Sequence, residues 1–149
     1  MADANKVGYR AVLVTGRPLP VTALNDFGGQ AVDLGFSLVL FATGDTKRPA
    51  ALDPRIKVER LRVRGRTRVG GKARSAAAKL AVRGNIRQRT LGLAVLDSGL
   101  HKAASQADVL VALDPDSALA VWALARRHRS VLAVLGLPEL ARIAAEELQ

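Results

Sequence analysis

The sequence predicts an α/β fold in which a parallel sheet lies between two layers of helices. Three observations lead there. Short apolar runs alternate with Ala- and Leu-rich stretches of helical character. Two of the runs, FSLVLFA and ADVLVAL, are apolar on both faces, as strands covered by helices on both sides are. Gly, Pro and Asp punctuate the joints, most densely in TGDTKRPAALDPR. With 149 residues, 49% of them hydrophobic, the chain can bury a real core. Residues 1–149 are expected to form a single domain, with 1–8 as a flexible lead-in.

The elements follow in order. RAVLVTG, Arg10–Gly16, is the first strand. RPLP turns the chain, and Pro20 suits a first helical turn because its missing N–H would be unpaired there anyway. A helix through VTALNDFGGQAVDL ends at Gly35, a natural cap. Gly28-Gly29 inside it costs about 1–2 kcal/mol relative to alanine, which points to a close packing contact or a ligand approach. Phe36–Ala42 is a buried central strand, and IKVERLRV, Ile56–Val63, alternates at period two like a strand with one wet face. After Gly70-Gly71, helical stretches near Lys72–Val82 and Asn85–Gln106 are separated around Gly84. Ala107–Leu113 is the fourth strand. Asp114 caps a helix from Pro115 to about Arg129, with Arg126, Arg127, His128 and Arg129 at its cation-favouring end. Val131–Leu137 is the fifth strand, and PELARIAAEELQ is a terminal helix. Right-handed crossovers then give a Rossmann-like three-layer sandwich of about five parallel strands ordered 3-2-1-4-5.

In that order, ligands gather at the carboxyl ends of the first and fourth strands. The candidate ligand-binding residues are therefore Gly16, Arg17, Asp114, Asp116 and Ser117. TGRPLPVT lacks the glycine spacing of a dinucleotide fingerprint, and no G-K-[ST] makes it a phosphate loop. LDPDS reads either as a capped helix with an acidic first turn or as carboxylates reaching a ligand hydroxyl. Asp97 and His101 lie four apart, a spacing that lets them share a face and a hydrogen bond. His128 is expected to face solvent. No cluster has metal-ligand spacing and no Ser/His/Asp set stands out, so no catalytic residue, metal or cofactor is assigned.

ADVLVALDPDSALAVWALARR resembles the fourth strand and following helix of GT-B glycosyltransferases of the retaining, sugar-nucleotide-using type, which commonly read P-D-V-V-H-A-H-D-P-x-x-A-x-x-A-x-x-A-A-R-R. RAVLVTGRPLP and AVDLGFSLVLFA are similar to the first strand and the first helix end of the same N-terminal domain. The histidines usual in that family correspond to Val111, Leu113 and Phe36, and Gly28-Gly29 falls outside the family's first-loop glycine position. The resemblance implies an acceptor-side domain. The family's donor domain, with its pair of glutamates, has no counterpart within the 149 residues. The expected function is thus a glycosyltransferase-like N-terminal module, not catalytically complete alone. It would act with a donor-domain partner chain, as a homodimer, or as a vestigial docking module. PELARIAAEEL, apolar at i, i+3 and i+4, is expected to form part of the exposed surface for such a partner.

The densest positive charge sits in ERLRVRGRTRVGGKARSAAAKLAVRGNIRQR, Glu59–Arg89, where Glu59 is the one carboxylate, within a chain of formal net charge +10. Arg60, Arg62, Arg64, Arg66 and Arg68 recur at period two, so an extended chain projects all five to one side and Leu61, Val63 and Val69 to the other. This predicts a cationic comb on an edge strand, away from the crevice. Lys72, Arg74, Lys79, Arg83, Arg87 and Arg89 continue it. Such a comb protects an edge against strand pairing. It also suits an anionic membrane surface, a phosphorylated small molecule or, as the alternative function, nucleic acid bound through phosphates without base readout. Aromatics at 3% argue against base-stacking platforms. Absence of cysteine removes disulfides and thiolate chemistry and suits the cytoplasm. Met1–Arg10 lacks the apolar core of a signal peptide, and no apolar run approaches the roughly 18 residues of a membrane span. The expected location is cytoplasmic, with peripheral membrane association open.

Overall fold

The computed structural model describes residues 8–43, 48–65, 67 and 69–147. It is a five-stranded, all-parallel sheet in the order β3-β2-β1-β4-β5, flanked by helices on both faces. The strands are β1 (Arg10–Thr15), β2 (Ser37–Ala42), β3 (Lys57–Arg60), β4 (Val109–Ala112) and β5 (Leu132–Leu135). The fold class and strand order are those read from the sequence. The expectation for residues 1–8 falls almost wholly outside the described residues.

One face of the sheet carries a continuous helical run and the terminal helix. The run is α1 (Val21–Ala23), a π-helical turn (Leu24–Gly28) and α2 (Gly29–Asp33); the terminal helix is α7 (Leu137–Glu147). Gly35, at φ 107°, closes α2 in the left-handed conformation that glycine adopts without strain. Gly28 settles its own case as packing: a Cβ there would lie 3.1 Å from Ile56 Cδ1 and 3.3 Å from Leu38 Cδ1. Leu13, Leu24, Leu40, Ile56 and Leu140 form this core.

The other face is covered by α4 (Ile86–Leu96), α5 (Ser98–Ser105) and α6 (Pro115–Arg127), with Val12, Val14, Leu100, Leu110 and Leu124 between the layers. α3 (Gly71–Arg83) packs chiefly on α4 and makes a hairpin with it. Gly92 permits that approach, since a Cβ there would sit 2.4 Å from the Ala77 carbonyl oxygen. The turn between them is held by a capping box. Gln88 N–H donates to Asn85 Oδ1 at 2.9 Å, and Asn85 N–H donates to Gln88 Oε1 at 3.0 Å.

The structure corrects four expectations. The long helix of residues 85–106 is two helices, because Asp97 leaves helical geometry and its Oδ1 accepts from the Gly99 and Leu100 N–H groups as the cap of α5. β3 stops at Arg60 rather than running to Val63. The apolar stripe of α7 is no free surface: Leu137, Leu140, Ala141, Ile143 and Ala144 are buried in the chain's own core. Exposed large apolar side chains lie instead at the α3–α4 turn (Val82, Ile86), on α6 (Leu119, Trp122) and on β5 (Leu132, Leu135). His128 is half-buried rather than solvent-facing, its ring centroid 6.1 Å from that of His101. No helix among the described residues is long and apolar enough to cross a membrane.

Candidate functional site

At the carboxyl ends of β1 and β4 the fold brings together all five residues expected there. Thr15, buried at the end of β1, donates its hydroxyl to Asp114 Oδ2 at 2.6 Å, and Gly16 N–H donates to the same oxygen at 3.2 Å. The other oxygen, Oδ1, accepts from Ser117 N–H at 2.9 Å as the cap of α6. Both oxygens of Asp114 therefore hold the loop and the helix in place. Asp116, in the first turn of α6, pairs with Arg17 Nε at 2.5 Å. Hydrogen bonding and charge from Asp116 raise the Arg17 pKa, so that guanidinium stays ionised. The geometry matches a capped helix with an acidic first turn; neither carboxylate projects unpaired into the crevice.

α4 closes over this loop. A Cβ on Gly16 would meet Thr90 Oγ1 at 2.6 Å and Ile86 Cγ2 at 3.2 Å, so glycine is required for the helix to seat. What remains is a cavity of about 150 Å³ lined by Gly16, Thr43, Ile86, Arg89 and Thr90. That is below the few hundred cubic ångströms typical of small-molecule sites. The end of the basic stretch thus lies on the crevice rather than away from it, which corrects the expected separation. Ile86 and Thr90 went unassigned from sequence, and Arg89 was placed only in the basic surface. Their one visible signal is the capping pair Asn85 and Gln88, which starts a new helix just there.

The comb does not persist as a comb. Arg60 and Arg62 are exposed. The chain then turns inward: Arg64 Nη2 donates to Asp97 Oδ2 at 3.2 Å, and Arg64 Nε lies 2.7 Å from Oδ1 outside hydrogen-bonding geometry, an ionic contact. Asp97 is fully buried and also accepts the Arg62 N–H at 3.0 Å. Backbone bonds from Arg64 N–H to Leu96 C=O and from Ser98 N–H to Arg64 C=O complete the clasp. Gly65 follows at φ 62°, in the left-handed region that favours glycine. A buried carboxylate without a cation is costly, which is why Arg64 leaves the solvent side. Leu61 is buried as expected, whereas Val63 is exposed. Arg66 and Arg68 lie outside the described residues. Asp97 consequently makes no side-chain bond to His101, whose Nε2 is 3.0 Å from the Val95 carbonyl oxygen.

On the α3–α4 hairpin, Lys72, Arg74, Lys79, Arg83, Arg87 and Arg89 are all exposed, and none forms an ion pair among the described residues. Between them, Val82 is 78% exposed and Ile86 50%. No group of three or more His, Asp or Glu among the described residues has metal-holding geometry. No family model matches the sequence, and no curated protein is similar to it.

Proposed function

We propose that this chain is a glycosyltransferase-like, acceptor-side module that is not catalytically complete alone and docks on an anionic membrane surface through the α3–α4 hairpin. The observation that carries the docking is the hairpin itself, with Val82 and Ile86 exposed amid six uncommitted cations. Each such cation near an anionic leaflet contributes about 1 kcal/mol, and two aliphatic side chains at the turn add shallow insertion. The same Ile86 lines the crevice with Gly16, so the docking surface borders the candidate site. That adjacency suits an acceptor presented from a lipid surface. The exposed aliphatic pair favours lipid over nucleic acid, because a phosphate backbone offers it no apolar partner.

Co-sedimentation with vesicles of about 30% phosphatidylglycerol is the test. Binding is expected at low salt, lost at high salt. Charge reversal at Lys79 and Arg83 should abolish it, and Val82→Gln should weaken it by roughly fivefold, the value of one partly buried side chain. No binding at low salt removes the docking reading; binding indifferent to Val82→Gln but displaced by duplex DNA turns it to nucleic acid. Sugar-nucleotide hydrolysis by the purified chain would overturn the claim of incompleteness.

A further inference from the structure

A second cavity, of about 560 Å³, lies across one face of β1, β2 and β3 beside α5. On this face Leu100 and Ala104 of α5 pack with Val12 of β1, and the cavity extends from α5 over β2 and β3. Period two places Arg10 and Val12 of β1, Ser37, Val39 and Phe41 of β2, and Lys57 and Glu59 of β3 on the same side. α5 supplies the wall with Gly99, Lys102, Ala103 and Gln106, which are spaced i, i+3, i+4 and i+7 along one helical stripe. The floor is apolar: Val12 and Phe41 are buried and Val39 is half-buried.

The rim is cationic. Arg55 and Arg64 also border the cavity, but Arg55 is held by Asp33 and Asp53, and Arg64 by Asp97. Among the described residues the Arg10 side chain pairs with no carboxylate and donates to the Gln106 amide oxygen at 3.5 Å. Lys57 and Lys102 form no ion pair among the described residues. Three uncommitted cations therefore face one carboxylate, Glu59, a surplus of two positive charges at the mouth of an apolar-floored hollow.

We infer that this hollow is a binding site for a small organic phosphate monoester. Its dianion matches the surplus charge at Arg10, Lys57 and Lys102, and its apolar or flat body lies against Val39. The volume falls in the range of small-molecule sites, unlike the crevice at Gly16. Because Arg10 and Ser37 open their strands while Gly16 follows the end of β1, this site is separate from the one bordering the hairpin and does not depend on the docking proposal.

Phenyl phosphate serves as the probe, titrated into the full chain and followed by amide chemical shifts and by calorimetry. Saturable binding is expected, with shifts centred on Arg10, Val39, Lys57 and Lys102–Ala103. Lys57→Glu and Lys102→Glu, both at exposed positions, should each weaken it by roughly tenfold through loss of one charge-assisted contact. Lys79→Glu together with Arg83→Glu on the hairpin should leave it unchanged while abolishing vesicle binding, so the two proposals fail independently. Three results overturn the inference: no saturation, affinity unaltered in the Lys57 and Lys102 variants, or equal affinity for inorganic phosphate, which would mean that the floor contributes nothing.

Discussion

Arg64 and Arg62 are neighbours in the same basic run, and their substitutions should differ sharply. Arg64→Ala strands the Asp97 carboxylate in the interior and is expected to cost about 3 kcal/mol, the lower end for breaking a buried pair because Arg64 is partly exposed. Arg62→Ala removes an exposed side chain whose only contact with Asp97 is through its backbone N–H, so the change should stay within about 0.5 kcal/mol. Urea denaturation of the two variants measures this directly; equal losses would mean that the clasp has no energetic weight. His101 and His128 set a pH dependence. Burial lowers both pKa values, helped by the charge of Arg127, so the folded chain keeps both rings neutral at a pH where the unfolded chain protonates them. Their contribution is fully present above the ordinary histidine value of about 6.5 and is lost as pH falls through the lowered folded values. The melting temperature should decline between about pH 7.5 and 5.5, and less so in His101→Gln/His128→Gln; an unchanged slope removes the histidines as its cause. Asp53, lowered to about 2 chiefly by its hydrogen bond to Arg55, stays ionised throughout that window.

At the level of elements, the α3–α4 hairpin depends on one position. Alanine in place of a helical glycine gains about 1 kcal/mol of propensity, and at Gly71, where a Cβ meets nothing within 4 Å, Gly71→Ala should be neutral to stabilising. At Gly92 the same change drives a Cβ against the Ala77 carbonyl and the Ala81 amide, both backbone atoms on the facing helix. Overpacking of that kind costs about 1–3 kcal/mol and outweighs the propensity gain. Gly92→Ala should therefore destabilise the chain and speed tryptic cleavage within Lys72–Arg83; unchanged cleavage would show that α4 tolerates the shift. Helix existence here was legible from the Ala-rich run and the Gly84 break. The crossing was not, because nothing local distinguishes a glycine that admits another helix from one that merely interrupts its own. β3 shows the same limit: alternation continued past Arg60, yet the ladder stopped where Asp97 drew the backbone and Arg64 inward.

Across the whole molecule, the net charge of +10 is not spread evenly. It collects on a hairpin beside the crevice and, separately, on the rim of the hollow over β2 and β3, while several acidic groups hold loops and caps from within. The strand order 3-2-1-4-5 was readable beforehand because it rests on local patterns: runs apolar on both faces mark covered strands, and the handedness of the crossovers leaves few ways to arrange them. The meeting of Gly16, Arg17, Asp114, Asp116 and Ser117 followed from the same order. How those groups are used did not, since Asp114 commits one carboxylate oxygen to Thr15, 99 positions away, and the other to the Ser117 N–H. Nor did the seating of α4 on Gly16, or the capture of Arg64 by a carboxylate 33 positions away. Periodicity records whether a side chain faces core or solvent. It carries no label for which distant charge a buried group will meet, and in this chain those long-range pairings decide which cations stay uncommitted at the surface.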